Sequence, residues 1–119
     1  MNQATNTSYA LVVKKDCPTC ALIEPVIAQL AETFNSGLSV YVQDDPSFPV
    51  APVPIDDTSL EYSYDRNIEI VPTLIRLASE VGEEARIYGW DKKQWQDFTG
   101  IEDLGQELID FKPGCGSKT

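Results

Sequence analysis

The 119-residue chain holds three cysteines and no histidine. Two of the cysteines stand three apart in Cys17-Pro18-Thr19-Cys20, inside "VVKKDCPTCALIEPV". Thiols at that spacing can form half of a zinc site, lie inert in a core, or close a small disulfide ring and exchange it with another disulfide. Exchange needs a thiolate to attack and a second thiol to resolve the mixed disulfide. The missing histidine removes the usual general base, the commonest metal ligand and every Cys-His dyad. It excludes papain-like hydrolysis, metalloprotease chemistry and Cys2His2 zinc sites. Structural zinc usually takes four protein ligands. Beside Cys17 and Cys20 only Cys115 remains, so a metal site would need a carboxylate or a second chain.

The elements around the pair give it a reason to react. "YALVVK" (9–14) is a short apolar, β-branched run and reads as a buried strand. From Pro18 the period changes: Ile23, Val26, Ile27, Leu30, Ala31 and Phe34 fall on one helical face. Pro18 suits a first helical turn, and Gly37 a C-cap. A helix is expected over 18–35, kinked at Pro25, which lacks a donor. Cys17 therefore falls where strand becomes helix, near free N–H groups and the positive end of the helix dipole. Both favour a thiolate. Lys14 and Lys15 add positive charge and Asp16 opposes them, so a moderately lowered pKa is expected. Cys20 lies one turn further on, more buried, and positioned to resolve. A Cys-x-x-Cys at the mouth of a strand–helix unit is the setting of a redox motif.

Further along, "LSVYVQ" (38–43) alternates as a second strand. Four of the eight prolines lie between 46 and 54, so 44–57 reads as an extended loop. "SLEYSYDRN" (59–67) is a short helix capped by Thr58 or Ser59. Residues 73–79 and 85–89 read as a hairpin with a turn at 82–84. A last helix starts near Asp91, breaks at Thr99-Gly100 and continues through 101–111. Residues 1–7 are polar and expected to be loose; 112–119 read as a flexible tail carrying Cys115. Cys115 is a third thiol that could relay or cap the pair, join two chains, or be incidental. Trp90 and Trp95 read as packing of the last helix. The order is β-α-β-α-β-β-α in a single domain.

Nine basic residues against 19 acidic ones leave a net charge of −10. Such a surface repels nucleic acid and anionic lipid, so no nucleic-acid or membrane partner is expected. No apolar run approaches the roughly 20 residues of a membrane helix. The start, "MNQATNTSYALVVKK", lacks the pattern of a signal peptide, so a cytoplasmic protein is expected. The scattered carboxylates form no acid/base pair.

With these elements in order, the chain resembles the thioredoxin superfamily over about residues 8–111. "CPTCALIEPVIAQLA" is similar to the family's active-site helix, with Pro25 five residues after the second cysteine. "IVPTLIRL" resembles the loop in which a cis-proline, here Pro72, opens the third strand. "GEEARIYGWDKKQWQDF" resembles the closing hairpin and helix, with Gly89 at the family's glycine. "KKDCPTC" is also similar to a glutaredoxin's Cys-Pro-x-Cys. The family's tryptophan before the first cysteine is Asp16 here, and its buried aspartate beneath the second is Leu11. The resemblance implies an α/β, thioredoxin-like fold with a four-stranded mixed sheet flanked by helices. It implies a thiol–disulfide oxidoreductase with Cys17 as nucleophile and Cys20 as resolving thiol. Val71, Pro72 and Thr73 would line the substrate edge with Pro18 and Thr19. The substrate would be a disulfide-containing protein, and electrons would come from thioredoxin reductase or glutathione. No cofactor or metal would be needed beyond the Cys17–Cys20 disulfide. The other readings are a glutathione-dependent glutaredoxin-like enzyme, and a non-catalytic binding module whose cysteines are structural or zinc-bound.

Overall fold

The computed structural model describes residues 7–49, 54–78 and 82–117. In chain order the elements are β1 (Thr7–Val13), α1 (Pro18–Leu22), α2 (Glu24–Phe34), a 3-10 turn (Asn35–Gly37), β2 (Leu38–Val42), β3 (Ile55–Asp56), α3 (Glu61–Asp65), β4 (Ile70–Val71), β5 (Thr73–Ala78), β6 (Glu83–Tyr88), β7 (Trp90–Asp91), α4 (Lys92–Thr99), β8 (Phe111–Lys112) and β9 (Cys115–Gly116).

β1 is the central strand. Its Leu11, Val12 and Val13 are fully buried, as a strand covered on both faces requires. It pairs parallel with β2 and antiparallel with β5, and β5 turns back antiparallel into β6. The main sheet runs β3-β2-β1-β5-β6. It has five strands where four were expected. The fifth, β3, sits within the stretch read as an extended loop. Pro54 is followed by residues that carry N–H groups again, and β3 pairs parallel with β2; Asp57 N then donates to Val42 O at 2.9 Å.

The expected helix over 18–35 breaks rather than kinks. Pro25 has no N–H for the Ala21 carbonyl, and Ile23 N turns back to Ala21 O and Thr19 O instead. Ile23 leaves the helical region with ψ of 11°, and α2 starts afresh with Pro25 in its first turn, where a proline costs nothing. Val26, Ile27 and Leu30 of α2 are buried against the sheet. Asn35, not Gly37, ends α2, with a φ of 51°.

The cap of α3 also differs from the expectation. Asp57 Oδ1 accepts from Tyr62 N at 2.9 Å, and Oδ2 from Ser63 N at 3.0 Å and Ser63 Oγ at 2.6 Å. This buried carboxylate does what Thr58 or Ser59 was expected to do. In the hairpin, β5 ends at Ala78 and Ala78 N donates to Gly82 O; Glu83 and Glu84, expected in the turn, already belong to β6, where Glu83 pairs with Leu77, while residue 79 lies outside the described residues, as do residues 1–6.

The largest departures come after α4. Gly100, at φ 77°, ends that helix, and 102–107 form turns in place of its expected continuation. Gly105 takes φ 62° beneath the Trp90 ring, where an added Cβ would stand 2.6 Å from a ring carbon. Trp90 and Trp95 are fully buried with centroids 5.3 Å apart. Trp90 Nε1 donates to Ile109 O, and Trp95 Nε1 to Gly89 O. Residues 112–117, expected as a flexible tail, are paired: β8 lies antiparallel to β7, and β9 antiparallel to β4. The backbone between them crosses Gly89, whose missing side chain lets Gly114 N approach.

Candidate active site

Cys17 is the N-cap of α1, with extended backbone angles, and its Sγ accepts from Cys20 N at 3.3 Å. Cys20 is fully buried, and its Sγ accepts from Lys14 N at 3.4 Å. The loop between β1 and α1 is held by Asp44, which sequence reasoning missed. Its two carboxylate oxygens accept from Lys15 N at 2.7 Å and Asp16 N at 2.9 Å. The only signal was "DDP" directly after a strand.

The Cys17 thiol is lowered to about 6. The largest cause is the hydrogen bond from Cys20, followed among the favourable ones by Cys115 and the N–H groups of Cys20 and Thr19. The lysines expected to help are engaged elsewhere: Lys14 Nζ donates to Gly116 O at 3.0 Å, and Lys15 pairs with Asp45 at 3.3 Å. Burial, then the shared proton with Cys17, pushes Cys20 well above the ordinary thiol range. Burial and the neighbouring Cys17 also raise Cys115. The pair thus divides into a thiolate and a protonated partner. Because only the thiolate is alkylated, modification of Cys17 by iodoacetamide should rise with pH through a midpoint near 6 and level off above it. Mass spectrometry of the alkylated peptide reads this; a midpoint near the unperturbed 9.0 would mean the donors do not hold the thiolate.

The residues expected at the substrate edge divide into three groups. Val71 O lies 3.8 Å from Cys17 Sγ, and the Val71-Pro72 bond is cis, as is Phe48-Pro49. Thr19 is buried and its Oγ1 donates to Pro113 O at 2.6 Å, while Pro18 is exposed. Thr73 is buried within β5, its hydroxyl donating to Ile70 O at 2.5 Å. Cys115 stands opposite Val71 in the β4–β9 pairing, with its Sγ 2.7 Å from Cys17 Sγ. Cys17 itself is only 2% exposed, because that strand covers it. Leu11 is fully buried in β1. Among the described residues, no group of three or more Cys, Asp or Glu side chains is arranged to hold a metal.

A parallel β1–β2 pair joined by a helix, followed by an antiparallel hairpin and a closing helix, with two cysteines at the head of the first helix, defines a thioredoxin-like fold. The chain has the fold of the thioredoxin superfamily. No family model matches the chain, and no curated protein matches its sequence. Solved structures do match. Thioredoxin O2 from Arabidopsis thaliana, in its oxidized state, has a TM-score of 0.55 at 23% identity, over 82% of this chain and 75% of that one. StoA from Bacillus subtilis has a TM-score of 0.60 at 13% identity, over 80% and 83%. A hypothetical protein from Sinorhizobium meliloti 1021 has a TM-score of 0.63 at 15% identity, over 96% and 80%.

Proposed function

We propose that the protein is a thiol–disulfide oxidoreductase that serves as a reductant in the cytoplasm. The observation that carries this reading is the Cys17 sulfur, held toward its thiolate form at the head of α1 with the protonated Cys20 behind it. The Cys17 thiolate attacks one sulfur of a target protein's disulfide. That disulfide breaks, its far sulfur leaves as a thiolate and takes up a proton, and a Cys17–target disulfide forms. Cys20 then gives up its proton and attacks Cys17 Sγ, releasing the second target thiolate. The target gains two electrons and two protons, and the chain is left with a Cys17–Cys20 disulfide. Thioredoxin reductase or glutathione returns the electrons; no further cofactor takes part. Val71 and Pro72 supply the edge along which an extended target lies, with Thr19, Pro18 and Thr73 around it.

The test is the reduction of insulin by dithiothreitol with and without the protein, together with zinc analysis of the purified chain. Acceleration without stoichiometric zinc is the expected result. No acceleration, with zinc bound through the cysteines, would replace this reading by a metal-holding binding module. Supplying thioredoxin reductase or glutathione separately identifies the donor.

A further inference from the structure

The strand that covers Cys17 has the form of a substrate. In β-strand addition an extended peptide pairs with an exposed backbone edge and places alternate side chains into the site. β9 does this to β4: Ile70 pairs with Gly116, and Val71 with Cys115. The residue opposite Val71 is thus a cysteine, and its sulfur points at the Cys17 sulfur, 2.7 Å away. A disulfide needs about 2.05 Å, so the two sulfurs are within an ångström of bonding distance.

The fit extends on both sides of that cysteine. Before it, Gly114 leaves no room for a side chain: an added Cβ would meet Ile70 Cγ2 at 2.5 Å and Val71 O at 2.7 Å. The Pro113 carbonyl takes the Thr19 hydroxyl, and the Gly116 carbonyl takes Lys14 Nζ. After it, Ser117 N donates to Glu69 O, and Ser117 Oγ donates to Ile68 O while accepting from Gln43 Nε2. The strand pairings themselves are two residues long. A two-stranded pairing so short is marginal by itself, so a competing strand has little to displace. While β9 is docked, an outside disulfide has no path to Cys17.

We propose that residues 113–117 are an internal substrate: they occupy the groove of an incoming target strand, and Cys115 exchanges with Cys17 to seal the oxidised site as a Cys17–Cys115 disulfide, which reopens when Cys20 attacks Cys17 Sγ and releases the Cys115 thiol. The exchange balances without an added oxidant. Starting from the Cys17–Cys20 disulfide, the Cys115 thiolate attacks Cys17 Sγ. The Cys17–Cys20 bond breaks, the Cys17–Cys115 bond forms, and Cys20 leaves as a thiolate that takes up the proton Cys115 gave up. No electrons leave the chain. The tail also describes the target: an extended segment with its cysteine opposite Val71 and a glycine or equally small residue before it. The proposal rests on Cys17 being the exchanging thiol.

The experiment has two arms. First, the full-length wild-type protein and its Cys20→Ser variant are oxidised with oxidised glutathione and digested with trypsin, and the linked peptides are sequenced by mass spectrometry. A Cys17–Cys115 link is expected in both and should dominate in Cys20→Ser. Its absence from Cys20→Ser overturns the proposal. Second, Gly114→Val should expel the strand without touching a thiol. If the groove is open in about a tenth of molecules, Cys17 alkylation and insulin reduction should rise about tenfold. Ser117→Ala, a milder loosening, should give a smaller rise and covers the case in which Gly114→Val fails to fold. Unchanged alkylation in both variants overturns the proposal. The two readings fail separately: linkage and alkylation need no turnover, so wild-type protein that links Cys17 to Cys115 but does not reduce insulin counts against the oxidoreductase reading alone. Active wild-type protein lacking the link counts against the internal substrate alone.

Discussion

Cys17→Ser should drop insulin reduction to the rate of dithiothreitol alone. A serine hydroxyl stays protonated at neutral pH and forms no bond to sulfur that Cys20 could resolve, so neither half of the exchange survives. Cys20 cannot substitute for it. That thiol is fully buried and held protonated by burial and by Cys17, so it has neither the charge nor the access to attack first. Cys20→Ser should behave differently. It keeps the attacking thiolate and loses the resolving thiol, so it should stop after one exchange with Cys17 held in a disulfide to the target or to Cys115. Stopped-flow or gel analysis of the first turnover separates the two variants. Turnover by Cys17→Ser equal to wild type would remove Cys17 from the chemistry altogether.

Trp90→Ala should be the most damaging substitution away from the thiols. The ring is fully buried, lies against Trp95 and roofs Gly105. Truncations of this kind cost about 3–5 kcal/mol, a large share of a stability of about 5–15 kcal/mol. The loss would not stay local. Trp90 Nε1 holds the Ile109 carbonyl, Trp90 itself pairs with Lys112, and Lys92 N holds Asp110 O. These contacts seat the segment that leads to Cys115. Guanidinium unfolding followed by circular dichroism should show the lowered midpoint. A cost below about 1 kcal/mol would mean that the ring contributes no more than a surface side chain.

The pair of thiols and its setting were legible because they are local. A strand, a turn and a helix start lie within 15 residues, and the chemistry of a thiol at a helix start follows from that alone. Pro25 was legible as a disturbance, but its extent was not: whether one missing donor kinks or breaks a helix depends on whether a residue just upstream turns to the orphaned carbonyl, as Ile23, two residues before Pro25, does with Ala21. The cap of α3 was missed because Asp57 reaches forward five and six residues, beyond the spacing of an ordinary cap. The continuation of the last helix past Gly100 was misread because its apolar pattern suits a helix, while Gly105 is there to pass under a ring that no local pattern reveals. Least legible was the C-terminal segment. "KPGCGSKT" has the composition of a loose end, yet its Gly114 is what allows close approach to Ile70, Val71 and Gly89. Contacts made across 98 residues of chain leave no periodicity to read.

The short β3 strand has a consequence for how copies of this molecule meet. Without it, β2 would present a row of open backbone donors and acceptors, the template on which sheets of neighbouring molecules join. Ile55 and Asp56 use part of that row, and Pro54 directly before them offers no donor. At the opposite margin, β6 carries Glu83, Glu84 and Arg86, with Arg86 and Glu83 paired to each other. One border is shortened by proline and the other is charged, so the edge-to-edge strand pairing that leads to aggregates has little purchase at either side of this fold.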